Sequence, residues 1–99
     1  MTTMRQFVGE VLRARRADRG FSIRELSARS RVSQGYISEV ERGQKEPSSE
    51  LLAALADALD VPLSSVLREV ADQLETAEVR SQLASVSSIG ADTVRASAA

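Results

Sequence analysis

The segment Ser22–Gly43 constrains this chain more than any other, because it holds two helix starts separated by one short break. Ser22 followed by Glu25 forms a capping box, in which each side chain accepts from an amide that the first helical turn leaves free. Phe21 and Leu26 flank it as a hydrophobic staple, so a helix is predicted over about 23–30. Arg31, Val32 and Ser33 interrupt it. Ser33 then acts as the N-cap of a second helix, with Val32 and Ile37 as its staple and Gly43 as its end. Leu26, Val32, Ile37 and Val40 are the apolar positions that pack this pair at a fixed steep angle. Gln34, Gly35, Ser38 and Glu39 are left on the outward face of the second helix. That geometry puts a helix N-terminus into the major groove of double-stranded DNA.

The same signals predict three further helices, which makes the fold all-α with five helices. Phe7, Val8, Val11 and Leu12 repeat at helical spacing over about 3–19, and Gly20 suits a left-handed stop. Ser48 caps a fourth helix that buries Leu52, Leu55, Ala56 and Leu59. A fifth begins near Pro62, a residue tolerated in a first turn. The only aromatic residues are Phe7, Phe21 and Tyr36, so the core must be built from Leu, Val, Ile and Ala, which suits helices packed on helices. The chain has neither cysteine nor histidine, which excludes disulfides, thiol chemistry, imidazole bases and the usual zinc sites. With no phosphate-cradling glycine loop either, an enzyme is the weakest reading, and no cofactor or metal is expected. No apolar run approaches the roughly 18 residues needed to span a bilayer, and no signal-peptide core is present. A cytoplasmic protein without a membrane partner is the expectation.

A net charge of −1 conceals a polarity along the chain. Residues 1–47 carry ten Lys and Arg against six Asp and Glu, whereas 48–99 carry three against eight. A basic half joined to an acidic half points to a polyanionic partner on one side only. A chance imbalance of solvated charge is the competing reading.

The stretch FSIRELSARSRVSQGYISEVERGQKEPS resembles the lambda-repressor-like helix-turn-helix family, also called the Xre family, over about residues 5–67. The resemblance implies a sequence-specific DNA-binding transcriptional regulator. It places Gln34, Gly35, Ser38 and Glu39 at base edges. Ser22, Ile23, Arg31, Ser33, Tyr36, Arg42 and Lys45 then fall at phosphates. The amide of Gln34 can pair bidentately with adenine, and Gly35 would let the backbone approach the bases. Glu39 either accepts from a cytosine amino group or salt-bridges an arginine. Tyr36 either reaches a phosphate or wedges its ring between helices and exposes a polar tip. The family also implies an internal ion pair, Arg16 with Glu41, bracing the reading helix. Two positions stand out against the family pattern. A small residue is favoured inside the second helix, where Ser27 fits. Glycine is common at the first turn position, where this chain has Arg31. Either the turn differs locally or Arg31 offsets its strain with a phosphate contact. More narrowly, GYISEVERGQKEPSSELL resembles the actinobacterial regulators of Clp-protease genes, which implies an activator of those genes. A repressor and an antitoxin-like interaction module are the alternatives.

The C-terminal third carries a stripe of Leu63, Val66, Leu67, Val70 and Leu74 along one helix face. The division expected is a DNA-binding domain over 1–67, an extension of a dimerisation helix over 68–83 and a flexible tail over 84–99. Leu63, Val66 and Leu67 can be absorbed by the domain core. Val70 and Leu74 fall beyond its expected edge, so the stripe reads as a homodimer interface, with an inverted-repeat operator as its consequence. Folding back on its own domain is the alternative. The terminal Ala98 and Ala99 resemble a degradation tag read by Clp-type proteases, or are an alanine-rich end of no consequence.

Overall fold

The computed structural model describes residues 2–98, with side chains through residue 84. Its elements are α1 (Met4–Arg19), α2 (Ile23–Ser30), α3 (Gln34–Glu41), α4 (Ser49–Ala58) and α5 (Leu63–Ala98), with no strand among the described residues. Local chemistry sets most of the ends. Ser22, Ser33 and Ser48 each accept an amide from the first turn that follows, and the Ser22–Glu25 capping box is complete. Thr3 and Gln6 make a second box at the start of α1, so two of the five helices begin with reciprocal caps. Gly20 (φ 69°) and Gly43 (φ 71°) turn the chain through the left-handed region, where a β-carbon would be strained.

One core of thirteen buried apolar residues draws on all five helices and on Val32 in the turn: Phe7, Val8, Val11 and Leu12 from α1, Leu26 from α2, Ile37 and Val40 from α3, Leu55, Ala56 and Leu59 from the α4 region, and Val66 and Val70 from α5. α1 lies at the centre and packs against both α3 and α5. The contact with α3 is unusually close, because Gly9 sits against the end of that helix. A β-carbon at Gly9 would lie 2.3 Å from the Val40 carbonyl oxygen and 2.7 Å from that of Glu41.

Two expectations for α5 are corrected. Val66 and Val70 are 0% and 4% exposed inside their own chain, so neither is available to a partner, and the packed core extends past residue 67. Leu74 and Ala77 also pack against that core, because α1 runs alongside α5 and supplies the apolar partner that the sequence does not show. Leu63 is likewise partly buried, whereas Leu67 remains 48% exposed. The second difference concerns residues 84–98, which continue α5 instead of leaving it. The stretch is rich in weak helix formers such as serine, valine and Gly90, but it holds no proline, and extending an existing helix costs far less than starting one. Ala99 and the Ala98 side chain, on which the degradation-tag reading depends, lie outside the described residues. No helix among the described residues is long and apolar enough to cross a membrane.

Candidate nucleic-acid interface

The turn between α2 and α3 fixes the angle between the two helices. The Ser27 hydroxyl donates to the Val32 carbonyl at 2.6 Å, and the Arg31 amide donates to the Ser27 carbonyl at 2.8 Å. Ser27 therefore closes the turn as well as fitting a tight space. Arg31 adopts φ 61° and ψ 23°, so the turn keeps the left-handed conformation despite the missing glycine. Its side chain points to solvent.

From this turn α3 presents its first residues outward. Gln34 and Gly35 are exposed, while Ser38 and Glu39 are half-buried one turn later. The Tyr36 amide donates to the Ser33 hydroxyl oxygen and the Ile37 amide to the Ser33 carbonyl. The amides of Gln34 and Gly35 precede the first intrahelical bond and have no acceptor in the helix. No acidic residue lies in this turn, so the positive end of the helix dipole is not offset there. The start of α2 differs. The Ser22 amide donates to the Glu25 carboxylate at 3.2 Å, which occupies that donor and brings negative charge to the helix end. Ile23 and Arg24 hold the amides that remain for a phosphate.

Behind α3 the Arg16–Glu41 pair is bidentate. Arg16 Nε donates to Glu41 Oε2 at 2.7 Å and Nη2 donates to Oε1 at 2.8 Å. Its remaining nitrogen, Nη1, donates to the Phe21 carbonyl at 2.9 Å. The Arg16 side chain is 17% exposed and that of Glu41 6%, so the pair sits where solvent screens it weakly. The hydrogen bond to Glu41 raises the Arg16 pKa above its ordinary value, outweighing burial, which lowers it. One guanidinium thus joins α1, the start of the helix-turn-helix and the end of α3.

Other charges near the face divide between internal pairs and groups without an ionic partner. Lys45 lies 3.5 Å from Glu39 and 5.4 Å from the centre of the Tyr36 ring, which is partly buried against the core. Glu39 therefore has an intramolecular partner, and the Tyr36 ring is wedged beneath a lysine. Arg42 donates to the Ser38 hydroxyl at 2.7 Å and to the Gln44 side chain at 3.2 Å, which lays it along α3. Arg15 pairs with Glu69, and Arg19 pairs with Asp60 while donating to the Leu59 carbonyl. Two of the ten basic residues of the first half are thus paired with the acidic half, while Arg16 and Lys45 pair within their own half. Among the described residues Arg5, Arg13, Arg24, Arg29, Arg31 and Arg42 make no ion pair, and Arg29 stacks on Phe21 at 4.3 Å. Arg13 lines a polar cleft with Gln6, Glu10, Glu41 and Arg42, which brings one more arginine to this side of α1. Its place three residues before Arg16 was the signal in the sequence. No group of acidic side chains among the described residues is arranged to hold a metal ion.

A five-helix core whose third helix is braced from behind, its N-terminal turn open to solvent, is the lambda-repressor-like arrangement. The helix-turn-helix family model matches residues 12–66, and the chain belongs to that family. Within it the relatives are HTH-type transcriptional regulators, ClgR among them, rather than enzymes. The transcriptional regulator ClgR of Mycobacterium tuberculosis is 51% identical over 75 residues, spanning 76% of this chain and 67% of the relative. The crystal structure of the clp gene regulator ClgR from Corynebacterium glutamicum superposes with a TM-score of 0.76 at 46% identity, covering 86% of this chain and 90% of that one. The restriction-modification controller protein C.AhdI from Aeromonas hydrophila follows with a TM-score of 0.60 at 33% identity, covering 67% and 94%.

Proposed function

We propose that this chain is a dimeric activator of Clp-protease and related genes that reads an inverted-repeat operator. The observation that carries the reading is the exposed first turn of α3, held from behind by the bidentate Arg16–Glu41 pair. Gln34 is the residue best placed to read a base, as an adenine partner. Ser38 and Glu39 follow on the same face, Ser38 sharing its hydroxyl with Arg42 and Glu39 drawn toward Lys45. Ser33, Arg31, Arg42, Lys45 and the start of α2 at Ile23 supply phosphate contacts that orient the helix without specifying sequence. Arg13 joins them from α1.

The gene class comes from the similarity to clp gene regulators. The dimer rests on α5, where Leu67 stays exposed beside half-buried Leu74. Leu74 also lines a groove of about 1000 Å³ between α5 and the start of α1, with Phe7 and Ala77. Two copies joined there would present their α3 helices to half-sites about one helical turn, ~34 Å, apart.

Mapping bound chromosomal sites, together with transcript levels after depletion of the protein, tests the whole reading. Occupancy upstream of Clp genes, loss of their transcripts on depletion, and loss of occupancy in Gln34→Ala are the expected results. Increased Clp transcripts on depletion would make the protein a repressor, and an absence of specific sites would remove the DNA reading altogether.

A further inference from the structure

Four of the glycines lie among residues with described surroundings, and the fold accounts for three. Gly20 and Gly43 hold positive φ, and a β-carbon at Gly43 would also strike Gln6 at 2.6 Å. Gly9 has no room for a side chain against the end of α3. Gly35 differs from all of them. It lies within α3 without a positive φ, and a β-carbon there would meet nothing within 4 Å. Alanine would fit the fold and favour the helix, so neither conformation nor packing calls for glycine at this position.

The surroundings of Gly35 show what the missing side chain leaves open. On a helix its surface neighbours three and four residues on are Ser38 and Glu39. The Ser38 hydroxyl accepts from Arg42, and the Glu39 carboxylate is drawn toward Lys45. Both polar tips thus have a partner within the chain. The missing side chain therefore leaves open space on the exposed face of α3, next to the side chain of Gln34. Among the four unmodified bases, only thymine offers an apolar group at its major-groove edge, the C5-methyl.

We infer that Gly35 is a specificity-determining residue whose missing side chain admits a thymine methyl beside the base read by Gln34. The inference rests on the DNA-reading function proposed above and adds a base identity to it. A β-carbon at this position would occupy the space of the methyl and hold the helix away from the groove.

Duplexes selected from a random pool by the wild-type protein provide the probe. Each thymine in the selected site is replaced in turn by deoxyuridine, which removes only the methyl. One thymine per half-site is expected to matter, its replacement weakening wild-type binding about fourfold, the worth of one buried methyl group. Gly35→Ala should melt no lower than wild type, bind the selected duplex at least about tenfold more weakly, and lose the deoxyuridine effect at that position. Equal wild-type affinity for every deoxyuridine duplex would overturn the inference, even if the variant failed to fold. So would a Gly35→Ala protein that selects the same site with the same methyl dependence. A wild-type protein that enriches no sequence would instead defeat the DNA-reading function itself, and this inference with it.

Discussion

Removing the Arg16 guanidinium would leave the Glu41 carboxylate, 6% exposed, without its charged partner and the Phe21 carbonyl without a donor. Breaking a pair this sheltered costs about 3 kcal/mol or more, so Arg16→Ala is expected to melt roughly 10–20 °C below wild type. Because hydrogen bonding to Glu41 raises the Arg16 pKa above its ordinary value, the charge on Arg16 is fully present at every working pH. The destabilisation measured by thermal melts should therefore be insensitive to an arginine titration at any working pH. Unchanged melting with weaker DNA binding would reassign Arg16 to the interface. Arg31 poses the opposite case, an L-residue held at φ 61° with an exposed side chain. Arg31→Gly should stabilise the protein by about 1 kcal/mol in urea denaturation, by relieving the left-handed strain. If Arg31 touches a phosphate, the same variant lowers the salt dependence of DNA affinity by about 0.9 in log–log slope per subunit, about 1.8 for the proposed dimer.

At the scale of elements, the junction of α1 with α3 is the least forgiving contact in the fold. Gly9→Ala would put a methyl group 2.3 Å from the Val40 carbonyl, so one helix must move. A loss of about 3 kcal/mol in thermal or urea denaturation is expected, and a variant as stable as wild type would show that the helices slide apart freely. How legible each element was in the sequence follows from the range of the interaction that sets it. Helix starts at Ser22, Ser33 and Ser48 were readable because a cap speaks to an amide two or three residues away. The stops at Gly20 and Gly43 were equally local. Gly9 carried no such signal, since its neighbours are Val40 and Glu41. Arg15–Glu69 and Arg19–Leu59 were invisible for the same reason, their partners being 54 and 40 residues distant. Arg16–Glu41 came from family resemblance, not from any local pattern. Val70 looked unpartnered only because the apolar face of α1 that covers it lies far away in sequence.

For the whole molecule, burial of Val66 and Val70 changes how a dimer must form. A partner can meet only the edge of α5 that its own domain leaves uncovered, which centres on Leu67 and reaches Leu74. Leu74→Asp would disturb the core as well as any interface. Leu67→Asp separates the two effects, because the residue is 48% exposed within one chain. Sedimentation of that variant should give a folded monomer with much weaker operator binding. A persistent dimer would place the interface elsewhere.

Arg15 and Arg16 are adjacent in α1, yet one grips α5 through Glu69 and the other grips α3 through Glu41. The helix proposed to carry the dimer and the helix proposed to read DNA are therefore bolted to neighbouring points on the same rod. Such a frame works as a fixed gauge, with little freedom to stretch or twist one reading helix relative to its twin. A single base pair inserted between the half-sites moves one of them by about 3.4 Å and turns it by roughly 35° around the duplex. The gauge cannot follow that change, so the inserted operator should lose binding at least about tenfold, close to what a single half-site retains. Competition between operators with altered spacers would measure this stiffness directly.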